Sequence, residues 1–384
     1  MPVNTPDQPL RVLVAPDSFK GSLAASDVAR HIAAGLSQAL PGCIVTQAPI
    51  ADGGEGTAAT VAQQLGGAWA SLRVTSANGT PIDLPYAACH SPALGRFAIF
   101  DVAGIVGLPD AVIPAGARTT RGVGQALTQL AGLGFETIVV GLGGSSTSEG
   151  GAGMLAEVMF DFRDADGAMV EPVLDTLGTI HSVAQRPGNA ALARLTLIGL
   201  TDVSSPLTGA AGACHVFGAQ KGVADLDAAD AAIAGYAEKI TAASGVDHRA
   251  IDGAGAAGGL GFALRTLGAT LQPGAQFILQ ALGLDQDSMD FDWVITGEGR
   301  SDGQTLLGKG PATIAGLARR HGIPVSLLSG AIEHNLELYA AFDGCFSVQA
   351  APVTLDHALA HAGALLEAAA CNLARLYGAV VRRT

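Results

Sequence analysis

Short runs of apolar, strand-forming residues recur along this chain and alternate with helical patterns rich in Ala and Leu. The runs are Val12–Ala15, Ile44–Gln47, Thr137–Val140, Leu195–Leu200, Trp293–Thr296, Val325–Leu328 and Phe346–Ala350. Between the first two runs, Val28, Ile32 and Leu36 recur at helical spacing, which predicts a helix with one apolar face. Strands that alternate with helices are typical of a parallel sheet with crossover helices. The sequence therefore predicts an α/β fold with a doubly wound core.

The segment from about residue 67 to residue 110 breaks this alternation. The strand-like runs Gly67–Val74, Pro81–Cys89 and Arg96–Val102 follow one another, with turn signals at Asn78-Gly79 and Ser91-Pro92. This pattern predicts an antiparallel meander. The chain has 384 residues, which is more than one typical domain. We predict a parallel-sheet core domain formed by residues 1–66 and 283–384, with a second α/β (α+β) domain, residues 67–282, inserted into it.

Charge and composition exclude several classes of partner. The net charge is −13, whereas nucleic acids and anionic membranes need a basic surface. The sequence has no long apolar stretch of the kind that spans a membrane and no signal-peptide pattern. The five cysteines form no C-x-x-C pair, which is typical of a reducing compartment. We expect a cytoplasmic protein with a small-molecule substrate and no nucleic-acid or membrane partner; the sequence leaves open whether it forms a homo-oligomer.

The segments that follow five of the predicted strands are rich in glycine, carboxylates and cations. In strand order, they contain Lys20; Asp52, Gly53, Gly54 and Glu55; Gly143, Gly144 and Ser145; Asp202; and Glu298, Arg300 and Asp302. The carboxyl ends of parallel strands lie at one edge of a sheet, where open α/β sheets bind ligands. Backbone amides and cations bind phosphates, while carboxylates bind magnesium or accept a hydroxyl proton. These segments predict a phosphoryl-transfer site at one sheet edge.

Each segment also has a purely structural interpretation. Glycine pairs form tight turns, and Asp17 with Ser18 can cap the helix that follows. Asp52 with Glu55 can do the same for the next helix, and an exposed lysine or a surface ion pair needs no ligand. Five such segments at one sheet edge favour the functional interpretation.

Two glycine motifs resemble nucleotide-binding fingerprints but are incomplete. Residues 303–310 read G-x-x-x-x-G-K-G, with Gly310 where a P-loop needs Ser or Thr for magnesium; Lys309 remains a candidate phosphate ligand. Residues 253–258 read G-x-G-x-x-G, but no predicted strand precedes them and no acidic residue follows at the ribose-binding distance. We interpret the second motif as a helix-packing segment or an anion site.

Taken together, these segments make the chain similar to the type I glycerate kinases. The matching blocks are VLVAPDSFKGS (12–22), PIADGGEGT (49–57), GLGGSSTSEGGAGML (141–155), DV-x-x-PL-x-G (202–209), VFGAQKG (216–222), GAGAAGGLG (253–261) and TGEGRSDGQTLLGKGP (296–311). The resemblance implies an ATP- and Mg²⁺-dependent kinase for D-glycerate, with the 2-phosphate favoured over the 3-phosphate as product. It also implies a Rossmann-like domain with a second α/β domain inserted in it and an active-site cleft between the two.

The candidate residues then divide into roles that remain partly interchangeable. The metal candidates are Asp52, Glu55 and Asp202, because Mg²⁺ prefers oxygen ligands. The cofactor-binding candidates are Gly53, Gly54, Gly143, Gly144, Ser145 and Lys309. The catalytic candidates are Lys20, Asp202, Glu298, Arg300 and Asp302. Lys20 or Arg300 would bind the substrate carboxylate, and Asp202 or Asp302 would act as the base, with Glu298 next.

Several positions depart from the family pattern, and two other functions remain alternatives. The departures are Ser146, Ser148, Glu149, Ser205, Arg121 and Gln125. An additional arginine near the site would widen acceptance to another hydroxy acid. An NAD(P)-dependent oxidoreductase of small hydroxy acids would need a complete strand-led fingerprint. A non-catalytic hydroxy-acid sensor would not need the carboxylates.

Overall fold

The structure is a computed structural model that describes residues 9–187, 190–284, 289–306 and 310–381. The chain divides into two compact units. The core unit is residues 1–52 together with residues 273–384, and the inserted unit is residues 53–272. None of the described helices combines the length and the apolar character that a bilayer-spanning segment needs.

The elements are as follows in chain order. The first part of the core unit contains β1 (Arg11–Val14), α1 (Ala25–Ala39) and β2 (Ile44–Gln47). The inserted unit contains α2 (Thr57–Leu65), β3 (Ala68–Thr75), β4 (Pro81–Ser91), β5 (Gly95–Asp101), α3 (Ala103–Val106), α4 (Arg121–Ala131), β6 (Thr137–Gly141), α5 (Ala152–Val158), β7 (Phe160–Arg163), β8 (Ser182–Gln185), β9 (Thr196–Leu200), α6 (Ala213–Phe217), α7 (Leu226–Ser244), α8 (Ala256–Thr266) and β10 (Thr270–Gln272). The second part of the core unit contains α9 (Gly274–Ala281), β11 (Trp293–Thr296), β12 (Arg300–Ser301), α10 (Gly310–Arg320), β13 (Val325–Ser329), β14 (Ala331–Ile332), α11 (Leu336–Ala340), β15 (Gly344–Ser347), α12 (Leu355–Ala360) and α13 (Ala362–Val381).

The observed boundaries of the two units differ from those that we predicted from the sequence. Residue 66 is the C-cap of α2 and residue 282 is the C-cap of α9. Both predicted boundaries therefore lie one helix further along the chain than the divisions at 52/53 and 272/273.

The core unit is built on a parallel sheet with strand order β15-β13-β11-β1-β2. Counted along this unit alone, the order is 2-1-3-4-5, which is one of the two common doubly wound arrangements. The order reverses between β1 and β11, the point at which such sheets bind ligands. The parallel, doubly wound core that the sequence predicts is confirmed.

Both faces of this sheet are covered, because successive residues of β1 point into separate clusters. Val12 and Val14 pack with apolar side chains of α1 and α13, whereas Leu13 packs with residues of α9, α10 and α11. α1 and α13 approach closely at Gly35, where a Cβ would lie 2.3 Å from the carbonyl oxygen of Glu367. Burial on both sides explains why the strand is a continuous apolar run.

The inserted unit contains a mixed sheet with strand order β10-β9-β6-β5-β4-β3. β10, β9, β6 and β5 are parallel, and β5, β4 and β3 form an antiparallel meander. The meander predicted from the strand-like runs and their turns is therefore confirmed.

The single sheet edge that we expected from the sequence is wrong. The segments after β1, β2 and β11 follow strands of the core sheet, whereas Gly143–Ser145 and Asp202 follow β6 and β9 of the other sheet. Apolar strand patterns indicate that a strand is buried in a sheet but not which sheet it joins.

Candidate active site

A cavity of about 690 Å³ lies at the carboxyl ends of the core-unit strands. Its walls include Asp17 and Lys20 after β1, Asp52 after β2, and Glu298 after β11. Residues after β13 and β15 complete the lining. The cavity therefore occupies the point where the strand order reverses, the expected ligand position in this fold.

The Asp17 carboxyl group is a strongly perturbed titratable group of the cavity. Burial raises its pKa from 3.8 to about 7, and the nearby carboxylates of Asp52 and Glu298 act in the same direction. The Ser18 amide, which donates to Asp17 Oδ1 at 2.6 Å, and the Lys20 ammonium partly oppose this shift. Asp17 thus changes charge near neutral pH, unlike an ordinary surface aspartate.

Lys20 stands at the tip of a short loop that folds back on itself. Phe19 is buried, and its backbone pairs with Leu23 through hydrogen bonds of 2.9 and 3.0 Å. Gly21 between them has φ +79°, a conformation that favours glycine. The Lys20 side chain is 81% exposed, and its Nζ lies 3.2 Å from Asp52 Oδ2. This carboxylate is the main reason that the pKa of Lys20 is raised, so Lys20 keeps its positive charge.

Glu298 is held in place by hydroxyl groups. Thr305 Oγ1 donates to Glu298 Oε1 at 2.6 Å, and Ser301 Oγ donates to the same oxygen at 3.3 Å. Ser301 Oγ also lies 2.8 Å from Ser329 Oγ, at the end of β13. Glu298 is 9% exposed, so it is a fixed and nearly buried carboxylate of the cavity wall.

Arg300 and Asp302 are positioned by the short parallel pair β12–β14, in which Arg300 is opposite Ala331. The Arg300 side chain is 71% exposed and lies within 3.8 Å of Asp302 and 3.7 Å of Glu333. Asp302 Oδ1 accepts a hydrogen bond from the Gln304 amide at 2.9 Å. Exposed ion pairs of this length are weak, so Arg300 can reorient toward an anion.

Most of the predicted phosphate-binding glycines lie at a close contact between two loops of the inserted unit. A Cβ on Gly143 would be 2.3 Å from the Cα of Gly54, and the Gly143 amide donates to Gly53 O at 3.0 Å. Gly144 is exposed with φ +75°. The structure therefore brings Gly53, Gly54, Gly143 and Gly144 together, and only glycine permits this approach.

Ser145 accepts a hydrogen bond from a buried lysine that the sequence did not predict as a site residue. Lys221 Nζ donates to Ser145 Oγ and to Thr147 O, both at 2.9 Å. Burial lowers the pKa of Lys221 to about 8. Arg118 in turn donates to Lys221 O at 2.8 Å and Ser146 O at 2.9 Å. Lys221 belongs to the VFGAQKG block, so the family resemblance could have indicated it. Its partners show that it fixes the loop after β6.

The three predicted metal ligands are divided between the two units. Asp52 belongs to the core unit, whereas the exposed Glu55 and the half-buried Asp202 belong to the inserted unit. Among the described residues, no group of three or more His, Cys, Asp or Glu side chains could hold a metal ion.

The alternative in which these acids cap helices is wrong for the two helices concerned. The N-cap of α1 is Ala24, so neither Asp17 nor Ser18 caps it. At the start of α2, the side chain of Asp101 accepts hydrogen bonds from the Gly56 and Ala58 amides at 2.9 and 3.1 Å. These amides are therefore satisfied by the last residue of β5, which is distant in the chain and which local sequence does not reveal.

Two of the departures from the family pattern have structural partners. Glu149 is buried and accepts hydrogen bonds from the amides of Thr120, Gly151 and Gly153 at 2.9 to 3.1 Å. Arg121 is 2.5 Å from a carboxylate oxygen of Glu171 and also pairs with an acidic side chain of α5 at 3.0 Å.

The two glycine motifs have different outcomes. In the 253–258 motif, Ala257 and Gly258 have positive φ, and the Gly150 amide donates to Gly258 O at 2.9 Å. A Cβ on Gly258 would lie 1.9 Å from Thr147 O, so this motif permits close backbone packing. In the other motif, Lys309 lies outside the described residues, and Gly310 begins α10.

Comparison with known proteins assigns the chain to a family. Residues 12–378 match the model of the Glycerate kinase family. The chain is 35% identical to a glycerate kinase of Bacillus subtilis (strain 168), over 95% of this chain and 97% of that protein. It is 34% identical to a glycerate 2-kinase of Escherichia coli (strain K12), over 91% and 93%. A crystal structure of a provisionally named glycerate kinase 2 from Salmonella typhimurium LT2 has a TM-score of 0.83 and 34% identity, over 98% of this chain and 100% of that chain. The chain therefore belongs to the glycerate kinase family.

Proposed function

We propose that this protein transfers the γ-phosphoryl group of ATP to a hydroxyl group of D-glycerate. The family membership supports this reaction. The observation that carries it is the cavity at the strand-order reversal, where Lys20 stands beside the carboxylates of Asp17, Asp52 and Glu298. Phosphoryl transfer depends mainly on positioning and on neutralising charge. This cavity offers cationic side chains to neutralise phosphate charge and carboxylates to accept a proton.

In this proposal the two exposed cations have separate roles. Lys20 stabilises the transferring phosphoryl group, because Asp52 keeps the Lys20 ammonium group charged and near the cavity carboxylates. Arg300 binds the substrate carboxylate, since a guanidinium group can form two parallel hydrogen bonds to a carboxylate and the existing ion pairs of Arg300 are long.

Asp17 is the base that we favour for the attacking hydroxyl group. A base acts best when its pKa is close to the working pH, and the Asp17 pKa of about 7 meets this condition. Asp302 and Asp202 remain the alternatives predicted from the sequence. Glu298 already accepts two hydroxyl hydrogen bonds.

The cavity carboxylates suit a magnesium ion that arrives with the nucleotide. Mg²⁺ is usually held by one or two carboxylates together with substrate phosphates, so a site made only of protein ligands is not required. Asp52 is the first candidate, because it lines the cavity, and Glu55 and Asp202 are the others. When bound, Mg²⁺ would neutralise phosphate charge.

The glycine loops of the inserted unit are proposed to bind phosphate oxygens through backbone amides. The positive φ angles of Gly53 and Gly144 support this role, because such turns expose amides in anion-binding concavities. Ser145 would keep the loop after β6 in shape through its bond from Lys221. Lys309 remains a candidate phosphate ligand.

We propose the 2-phosphate as the product, in line with the name of the Escherichia coli relative. We also propose that the protein works in the cytoplasm, because its five cysteines are free.

The test is a coupled assay of ADP release from ATP with D-glycerate, L-glycerate or no acceptor. Release that depends on D-glycerate and stops with excess EDTA supports the proposal, and phosphorus NMR of the product distinguishes the 2-phosphate from the 3-phosphate. Absence of D-glycerate-dependent release would contradict it, and reduction of NAD(P)⁺ by glycerate would favour the oxidoreductase alternative.

A further inference from the structure

One segment of the inserted unit contacts both of the glycine-rich loops that we propose as phosphate ligands. The segment is residues 101–108, which contains the last residue of β5 and all of α3. We call the two loops the β2 loop (residues 53–56) and the β6 loop (residues 142–145), after the strands that precede them. The segment and both loops belong to the same compact unit.

The far end of the segment fixes the β6 loop through its backbone. The Leu108 amide donates a hydrogen bond to Gly144 O at 3.0 Å. Next to it, Gly107 pairs with Ser145 in an isolated antiparallel bridge. These backbone contacts join the β6 loop to the segment independently of any side chain.

The near end of the segment holds the β2 loop through one side chain. Asp101 Oδ2 accepts a hydrogen bond from the Gly56 amide at 2.9 Å, and Asp101 Oδ1 accepts one from the Ala58 amide at 3.1 Å. Gly56 is the N-cap of α2 and has no side chain that could cap this helix. A carboxylate at this position also interacts favourably with the helix dipole. Asp101 therefore fixes the point at which the β2 loop enters α2.

The neighbouring strand leaves space for this carboxylate beside the contact between the two loops. Gly141 lies opposite Asp101 in the parallel pair β5–β6. A Cβ on Gly141 would lie 2.5 Å from Asp101 Oδ1 and 3.2 Å from Gly53 O. Gly53 O is the atom that accepts the hydrogen bond from the Gly143 amide of the β6 loop, at 3.0 Å. The Asp101 carboxylate thus lies close to the point where the two loops meet.

We propose that Asp101 is a positioning residue for phosphoryl transfer, which holds the β2 loop against the β6 loop so that the amides of both loops face the same phosphate group. This inference rests on the proposed binding of phosphate by these loops. Amides that stabilise an anion act best when the protein has fixed them in advance. In this proposal Asp101 does not touch the nucleotide and acts through the amides of Gly56 and Ala58.

A purely structural role for Asp101 is the alternative, since a helix gains stability from any good cap. The chain offers a matched control for it. Asp225 is the N-cap of α7 in the same unit, and its side chain accepts a hydrogen bond from the Ala228 amide at 2.9 Å. This bond is internal to the start of α7, so its removal leaves the contacts of both glycine loops unchanged.

The test compares the full-length wild type with Asp101→Ala, Asp101→Asn and Asp225→Ala. Calorimetry with ATP and Mg²⁺ in the absence of glycerate measures nucleotide affinity, and steady-state kinetics give the KM values for ATP and D-glycerate. Urea unfolding measures the loss of stability, which should be similar in the two alanine variants because each removes a helix cap. Asparagine retains one acceptor oxygen but turns its own N–H group toward the second backbone amide.

We expect Asp101→Ala to weaken ATP binding and to raise the KM for ATP by about tenfold or more, since a lost hydrogen bond to a charged group costs at least that much. The KM for D-glycerate should be unchanged. Asp101→Asn should lie between the wild type and Asp101→Ala. Asp225→Ala should bind ATP like the wild type in spite of its lower stability.

Equal ATP affinity in Asp101→Ala and Asp225→Ala would overturn the inference, as would a wild type that binds no ATP. If Asp101→Ala does not fold, Asp101→Asn decides, and a wild-type ATP affinity in that variant overturns the inference. Failure of the two proposals can be told apart. Glycerate phosphorylation with a normal KM for ATP in the Asp101 variants would reject the positioning role alone. ATP binding that these variants weaken, in a protein that does not phosphorylate glycerate, would reject the kinase function alone.

Discussion

Replacing Asp17 by Asn should make the protein more stable at alkaline pH and remove most of its activity. Burial and the carboxylates of Asp52 and Glu298 raise the pKa of Asp17 from 3.8 to about 7. The folded protein therefore binds a proton at pH values where the unfolded chain has lost it. Stability falls as pH rises through this interval and levels off above about pH 7. Asparagine has no charge to bury, so the variant escapes this loss.

The size of the effect follows from the pKa shift. One pKa unit corresponds to about 1.4 kcal/mol, so the full shift corresponds to roughly 4 kcal/mol. This value is an upper limit, because water in the cavity reduces the cost of burying the charge. Part of this loss of folding stability has already occurred by pH 5. The stability advantage of Asp17→Asn should therefore increase by up to about 3 kcal/mol between pH 5 and pH 8.

Urea unfolding of both proteins at several pH values measures this difference. Asp247→Asn serves as the control of opposite sign, since hydrogen bonds from Arg249 lower the pKa of Asp247 to about 2. That variant should lose stability, by an amount that does not change between pH 5 and pH 8. A stability advantage of Asp17→Asn that is absent or independent of pH would refute the reasoning about Asp17.

The same residue predicts the pH profile of the reaction. If Asp17 is the base, kcat/KM of the wild type should rise about tenfold per pH unit below pH 7 and then level off, because only the ionised form accepts a proton. Asp17→Asn should lower kcat by about 10²–10⁴. An activity profile with no inflection near pH 7 would return the role of base to Asp302 or Asp202.

The remaining predictions concern charge and packing. Lys20→Ala should lower kcat by about 10² or more through loss of phosphoryl stabilisation, and an unchanged kcat and KM would make it an ordinary surface lysine. Arg300→Ala should mainly raise the KM for glycerate, and a selective rise in the KM for ATP would reassign this arginine. Gly35→Ala should destabilise the fold by about 1–3 kcal/mol through a clash between α1 and α13. Gly235→Ala, with nothing within 4 Å of the added Cβ, should instead stabilise α7 by about 0.5–1 kcal/mol; urea unfolding of both checks the pair.

Local sequence was sufficient for the strands and for the character of the site, but not for its long-range contacts. Strand β1 is an apolar run because both its faces are buried, and this signal is visible in the sequence. Its pairing with β11 is not visible, because the paired residues, such as Val12 and Trp293, are far apart in the chain. The sequence indicated only a helix cap at Asp17, because Asp52 and Glu298, which help to raise its pKa, are distant in the chain.

The buried Lys221 of the inserted unit was not predicted for the same reason, because its partners are distant in the chain. Only the folded chain brings the Lys221 ammonium group to Ser145 and Thr147. The glycine loops were predicted to bind phosphate, which stays a prediction; the structure shows that the loops of Gly54 and Gly143 also approach each other closely.

The interrupted core unit has a consequence for how the chain folds during synthesis. β1 lies between β2 and β11 in the sheet, so the first strands leave the ribosome long before their remaining neighbour exists. Residues 53–272 form a continuous unit and can fold in the interval, because domains generally fold as units during synthesis. Until β11 emerges, one edge of β1 and the apolar side chains of Val12, Leu13 and Val14 remain open to pairing with other chains. The nascent protein is therefore most prone to aggregation after the inserted unit has folded and before β11 has emerged.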